Sequence, residues 1–237
     1  MISHYLEAIY YIRGEGESVR SARLADWLGV SRPTVTVAVR RMIRDGMVRI
    51  TSGKEIELTR RGDQAAASVV RRHRITERWL SEVLGLDWVA ADTEAARLEH
   101  AVSQQVEDRL YQLLRRPTTC PHGNPIPGSA RPNPRERRLS QLRSGAAARI
   151  SRISEVAERE APALLHYLEA RRLVPRTAVR ILEVDEIGRT MRLRARDRDL
   201  TMSHETAGKI WVVPDRPGRK RGPHATSSIG GRQGERP

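Results

Sequence analysis

Residues 21–46 read S-A-R-L-A-D-W-L-G-V-S-R-P-T-V-T-V-A-V-R-R-M-I-R-D-G, and this pattern decides how the N-terminal part of the chain folds. Ala22, Leu24, Ala25 and Leu28 give a short helix closed by Gly29-Val30. Ser31 then stands in the place of an N-cap and Pro33 in the first turn. Val35, Val39 and Met42 line one face of a further helix that ends near Asp45-Gly46. The unit is a helix-turn-helix. Upstream, Tyr5, Leu6, Ile9, Tyr10 and Ile12 recur at helical spacing until Gly14-Glu15-Gly16 stops them. Downstream, Met47–Thr51 and Glu55–Thr59 read as strands around Ser52-Gly53-Lys54, a hairpin of the kind that forms a wing. Residues 1–60 are therefore expected to form a winged helix-turn-helix.

In such a unit the second helix presents its leading polar residues to the major groove, and flanking cations neutralise phosphates. The candidates are Ser31, Arg32, Pro33, Thr34, Thr36 and Val37 in the leading turns, followed by Arg40, Arg41 and Arg44, with Arg23 and the wing residue Lys54. Val37 is small and apolar enough to meet a thymine methyl. Net charge alone is a poorer guide. Of the total of +14, residues 129–149 supply six arginines against one acid, and residues 214–237 six basic residues against two acids. Both stretches read as linker or tail rather than as recognition surface.

Residues 61–128 read as helical: Ala65–Val83 as one long helix, a break at Gly85-Leu86-Asp87-Trp88, and a second helix from about Asp92 to Leu114. Their apolar faces suit a symmetric dimer, which in turn suits palindromic double-stranded DNA. These helices also carry metal-ligand chemistry. His4 and Glu7 are three apart, His73 and Glu77 four apart, and Glu99 and His100 adjacent, with Asp92 and Glu94 one to two turns earlier. Spacings of three and four put a pair on one helix face, so converging helices could gather nitrogen and oxygen donors on one ion. Each pair taken singly also reads as a solvated ion pair.

Beyond this, Pro127, Gly128, Pro132 and Pro134 mark residues 129–146 as a linker. A short helix at Ala161–Leu173 and strands at Ala178–Val184, Met191–Ala195, Leu200–Ser203 and Lys209–Val213 give a small barrel over 147–213, and residues 214–237 read as a disordered basic tail. The fold class expected is mainly α with a small β domain. A single cysteine, Cys120, excludes an intrachain disulfide; with His122 it forms a C-x-H pair, read as structural. There is no run of about 18 apolar residues, and the first residues lack a secretory pattern, so a cytoplasmic protein with no membrane partner and no small-molecule substrate is expected.

Several separate motifs resemble one family. H-Y-L-E-A-I-Y near the start, R-P-T-V-T-V-A-V-R-R-M-I-R-D-G-M-V, R-R-H-R-I-T-E-R-W-L, E-A-A-R-L-E-H, and H-G-N-P-I-P-G at 122–128 are similar, in this order, to the DtxR/MntR family of metal-dependent transcriptional repressors. The resemblance runs from residue 1 to about 213. It implies a homodimer that grips operator DNA when a ferrous or manganous ion orders its DNA-binding units, and a closing SH3-like, FeoA-type domain. His4 falls where the family uses methionine or aspartate, and Glu7 matches a carboxylate of the manganese-type members. His73, Glu77, Glu99 and His100 match the family's ligands. Asp92 stands where iron-type members have histidine, and Ala96 where a cysteine or glutamate ligand is usual, which implies either a rebuilt site in which His4 and Asp92 or Glu94 compensate or one weakened metal position. Glu158 and Glu160 are candidate ancillary ligands from the closing domain. With thiolate absent from the helices, imidazole and carboxylate suit Mn2+ or Fe2+, while Zn2+ or Co2+ could bind in vitro. A metal-independent winged-helix regulator is the alternative that Ala96 keeps open. A metallohydrolase is disfavoured because H-E-x-x-H and a nucleophile motif are missing.

Overall fold

The computed structural model describes residues 2–155, 157 and 162–215. Three helices, α1 (Ile2–Gly14), α2 (Ser21–Leu28) and α3 (Arg32–Arg44), are followed by the antiparallel strands β1 (Val48–Ile50) and β2 (Ile56–Leu58). The expected N-cap is present: the Ser31 side chain accepts a hydrogen bond from the Thr34 amide at 3.3 Å. Leu6, Ile9 and Ile12 of α1 meet Leu24, Val35, Val39, Met42, Val48 and Ile56 in one core. Each such fully buried aliphatic side chain contributes about 1.5–3 kcal/mol of transfer free energy. That core, not local propensity, holds the short elements.

α4 (Arg60–Glu82) opens on Thr59, whose hydroxyl accepts from the Gly62 amide at 3.1 Å. The single helix expected over Asp92–Leu114 is instead two, α5 (Trp88–Leu98) and α6 (Gln104–Leu113). Periodicity runs through the break, but the polar groups do not. The Glu99 carbonyl accepts from Arg72 Nη1 at 3.0 Å, and the Ser103 hydroxyl caps α6 by accepting from the Val106 amide at 3.3 Å.

The C-terminal unit is a six-stranded antiparallel sheet in the order β3-β8-β4-β5-β6-β7. Its strands are β3 (Arg137–Arg138), β4 (Ala147–Ile153), β5 (Ala178–Asp185), β6 (Thr190–Ala195), β7 (Arg198–Ser203) and β8 (Ile210–Pro214), with helices α7 (Pro162–Ala170) and α8 (His204–Gly208). Leu139, Ile150, Ile153, Leu165, Leu168, Ile181 and Val212 fill its core, which also takes in Trp88 of α5. The expected linker over 129–146 is thus too long. β3 pairs with β8, Leu139 is buried, and the Gly145 amide donates to the Ile181 carbonyl at 2.9 Å. Pairing begins at Arg137, and the arginines that precede buried Leu139 look in the sequence like a solvated run. β4 was likewise not foreseen, and Pro214 lies in β8 rather than in a tail. The Asp215 amide donates to the Ala147 carbonyl at 2.9 Å, and residues 216–237 of the expected tail, with Glu158 and Glu160, lie outside the described residues.

Between the helices and the sheet, the loop 120–128 is fixed on both sides. On the sheet side the His122 carbonyl accepts from the Ile153 amide at 2.9 Å and Asn124 Nδ2 donates to the Ile153 carbonyl at 3.1 Å; on the helix side Arg71 Nη1 donates to the Pro127 carbonyl at 2.9 Å.

At the start of α4 the backbone of the hairpin leaves no room for a side chain: a Cβ on Gly62 would stand 1.9 Å from the Met47 carbonyl oxygen, whereas one on Gly53 would meet nothing nearer than 3.7 Å. Gly62→Ala should therefore lower the unfolding free energy measured in urea by about 2 kcal/mol, and Gly53→Ala should stay within about 0.5 kcal/mol of the wild type.

Candidate metal centre

α1, α4 and α5 present their polar residues to a shared cavity of about 610 Å3. His4 and Glu7 come from α1, His73 from α4, Asp92 and Ala96 from α5, and Glu99 from its C-terminal cap. His73 is buried at the centre. Its Nε2 lies 3.3 Å from Asp92 Oδ1 and its Nδ1 2.8 Å from Glu99 Oε2. The other Glu99 oxygen is 3.7 Å from His100 Nε2, and the His4 and His100 rings meet edge to face with centroids 5.0 Å apart. His4, Glu99 and His100 each offer a donor atom within 4.8 Å of the others. Ala96 contributes no ligand.

The electrostatics of this cavity are those of a place short of positive charge. Burial lifts the Glu7 carboxyl from its ordinary 4.5 to about 7; the Glu99 charge adds to this, while His73 and the amino terminus oppose it. Glu7 Oε1 is buried and has no hydrogen-bond partner among the described residues, an expensive condition for a carboxylate oxygen. Burial works against a charged His73, but its bonds to Asp92 and Glu99 and the charge of Glu77 hold it well above the usual imidazole range. A bound proton on His73 thus offsets part of the carboxylate charge. Three imidazoles, those of His4, His73 and His100, around crowded carboxylates are a donor set for a borderline or hard divalent ion, so the residues present fit a divalent metal.

Two of the expected ligands are elsewhere. Glu94 faces away, where it pairs with Arg97 at the surface. Glu77 lies one helical turn beyond His73 and turns to the loop 120–128: its Oε1 is 2.6 Å from His122 Nδ1. Cys120 joins them, and all three side chains are buried with donor atoms within 4.8 Å of one another. Burial alone would raise the Glu77 carboxyl, but His122 holds it below its ordinary range. The His122 ring also packs edge to face on Trp88, 4.7 Å between centroids. Reading Cys120 and His122 as a structural turn missed this cluster. The C-x-H spacing was the available signal, but its third member stands far upstream on α4.

Most of the residues expected to contact DNA are exposed. Arg32, Pro33, Thr34, Thr36, Val37, Arg40 and Arg41 are exposed on α3, Val37 with 68% of its surface open. Ser31 and Thr34 share a 2.8 Å hydroxyl contact within the cap, and Thr36 bonds the Arg32 carbonyl at 3.0 Å. Lys54 stands in the wing turn with φ 60°. Arg23 pairs with Glu17 at 2.7 Å and lies over Trp27. The wing also exposes Arg49 and Ile50, which sequence reading passed over. The metal cavity reaches this surface: Trp27, Leu28, Val30 and Thr34 line its far side.

Comparison with known proteins agrees with this architecture. The N-terminal DNA-binding domain of the iron-dependent repressors matches residues 1–55, their metal-binding and dimerisation domain residues 59–128, and the FeoA domain residues 137–214. The iron-dependent repressor IdeR of Mycobacterium leprae is 36% identical over 219 residues, 88% of this chain and 94% of that protein. The chain belongs to the iron-dependent repressor family. The IdeR of Mycobacterium tuberculosis H37Rv is 47% identical over 124 residues, covering 52% of this chain and 54% of the relative. The structure of a manganese-dependent transcriptional repressor in complex with manganese superposes with a TM-score of 0.82 at 31% identity, over 90% of this chain and all of that one. Family membership favours the metal-dependent regulator over the metal-independent alternative, and makes this chain one of a family of transcriptional repressors. No described helix is long and apolar enough to cross a membrane.

Because Glu7 has a higher pKa in the folded repressor than unfolded, the folded chain holds more protons between pH 4.5 and about 7, and its metal-free stability falls as pH rises through that window. Glu7→Gln removes the titration. Urea unfolding of the metal-free protein at about pH 5 and about pH 8 should show a smaller loss for the variant than for the wild type; equal losses would contradict the assignment.

Proposed function

We propose that this chain is a manganese- or iron-responsive repressor in which His4, Glu7, His73, Asp92, Glu99 and His100 hold one divalent ion between the DNA-binding unit and the helices of residues 61–128. The observation that carries this is Glu7, a buried carboxylate with an unpartnered oxygen, crowded against Glu99 on a different element. A divalent cation bound there supplies the positive charge that lets both carboxylates stay ionised side by side. Glu7 and His4 ride on α1, while His73, Asp92 and Glu99 belong to α4 and α5. Their joint use fixes α1, and with it α3, against the rest of the chain. Glu77, Cys120 and His122 form a second donor set; its sulfur, nitrogen and oxygen would also accept Zn2+ or Co2+ in vitro.

In the homodimer two copies of α3 would enter successive major grooves of a palindromic operator. Ser31, Arg32, Pro33, Thr34, Thr36, Val37, Arg40 and Arg41 face the duplex, with Lys54 on the flanking backbone. The unit boundaries proposed are 1–60 for the winged helix-turn-helix, 61–128 for dimerisation and metal binding, and 137–214 for the closing sheet. The protein works in the cytoplasm and turns over no substrate.

The test is binding to a duplex enriched from a random pool in the presence of manganese. Operator affinity of the wild type should rise about 5- to 150-fold with manganese; equal affinity with and without the ion would overturn the proposal. His100→Ala should abolish the response while leaving the circular dichroism unchanged. Arg40→Ala should reduce the slope of log K against log salt by about 1 without changing base preference.

A further inference from the structure

Glu15 follows α1 in the G-E-G turn, yet its side chain is fully buried. Its Oε1 accepts from Arg152 Nη1 at 2.8 Å and from the Glu155 amide at 3.1 Å. Its Oε2 accepts from Ser154 Oγ at 2.8 Å and Trp211 Nε1 at 3.0 Å, and lies 2.8 Å from Arg138 Nη2. The Arg138 and Arg152 guanidiniums lie over the Trp211 ring, 4.0 and 4.2 Å from its centroid. They also reach the Glu15 and Gly14 carbonyls, at 3.1 and 3.4 Å. Every one of these partners belongs to the C-terminal sheet unit. Burial alone would raise the Glu15 carboxyl, but Arg152 and Arg138, helped by Trp211 and Ser154, hold it below its ordinary range.

The same unit is anchored on the dimerisation helices. Trp88 of α5 lies in its core, its amide donates to Glu169 Oε2 at 3.3 Å, and Arg74 of α4 pairs with Glu155. A continuous path of packed groups thus runs from α4 and α5, through the sheet, to the C-terminal end of α1. The opposite end of α1 carries His4 and Glu7. Glu15 stands eleven positions after His4, about 17 Å at the helical rise.

We infer that Glu15 is a positioning residue for the metal response: it latches the far end of α1 to the C-terminal unit, so that His4 and Glu7 are already held near α4 and α5 before an ion arrives. The inference rests on the metal-dependent reading above. A helix held at one end has fewer orientations to lose when its other end is fixed, so the latch lowers the metal concentration needed for activation. It is not needed once the ion itself holds α1. The latch therefore acts on the activation midpoint rather than on operator affinity at saturating metal. General loss of folded protein would instead lower the saturating signal and leave the midpoint in place.

The experiment compares wild type, Glu15→Ala and Glu15→Gln as full-length protein. It measures amide exchange across α1 without metal, the manganese concentration for half-maximal operator binding, and operator affinity at saturating manganese. In Glu15→Ala, α1 should exchange faster without metal and recover with it. The midpoint should rise about fivefold or more, with saturating affinity within about twofold of wild type. Glu15→Gln keeps an acceptor oxygen and should fall between. An unchanged or lower midpoint, or a midpoint that moves while α1 exchange does not, overturns the inference. If Glu15→Ala does not fold, Trp211→Phe keeps the ring packing and removes one donor; it should move the midpoint the same way by less, and no movement counts against the latch. A wild type that ignores manganese defeats the functional reading instead, and α1 exchange then still decides whether Glu15 holds the two units together.

Discussion

Ionised groups inside a protein must be matched where they stand, and α4 carries several of them on its buried faces. His73, Arg74 and Glu77 are each less than a tenth exposed, and Arg71 is partly covered. Each recruits a different part of the chain: His73 takes Asp92 and Glu99, Arg74 takes Glu155 and the Pro125 carbonyl, Glu77 takes His122, and Arg71 takes Glu107 at 2.8 Å. Leaving any one unmatched would cost several kcal/mol. The charges of one helix thus specify where α5, α6, the loop 120–128 and the sheet must lie.

The same economy accounts for the two donor clusters. Spaced by one turn of α4, His73 and Glu77 face different neighbours, so the ligands divide into an oxygen- and nitrogen-rich group beside α1 and a sulfur-containing group beside the sheet. The first group is unbalanced, as Glu7 shows, whereas in the second Glu77 and His122 neutralise one another. Absence of a ligand at Ala96 does not empty the first group, because His4 approaches from α1 and Asp92 from α5.

The helix-turn-helix was legible because local rules govern it: the Ser31 cap, the Gly29 turn and the spacing of Val35, Val39 and Met42 all act within a few residues. His4, Glu7, His73, Asp92, Glu99 and His100 were readable as ligand types, and their partition was not. Glu77 was assigned with His73 because helical spacing describes a face, while only the path of the loop 120–128 shows what that face meets. Arg138 and Arg152 illustrate the converse. Within an arginine-rich stretch nothing local separates a solvated cation from one matched to Glu15, more than a hundred residues away. Nor could periodicity reveal the end of α5, which is set by the tertiary use of Glu99.

Thr34 belongs to two surfaces at once, as a leading residue of the recognition helix and as part of the wall of the cavity that holds His4 and Glu7. Val30, in the turn before α3, lines the same cavity. If the cavity holds the ion as proposed, sensing and reading are not separable modules joined by a relay; they have a wall in common at Thr34. On that reading a substitution at Thr34 that altered base preference would at the same time reshape the cavity around His4 and Glu7, so operator sequence and metal set-point would be tied to one another in the geometry of a single turn.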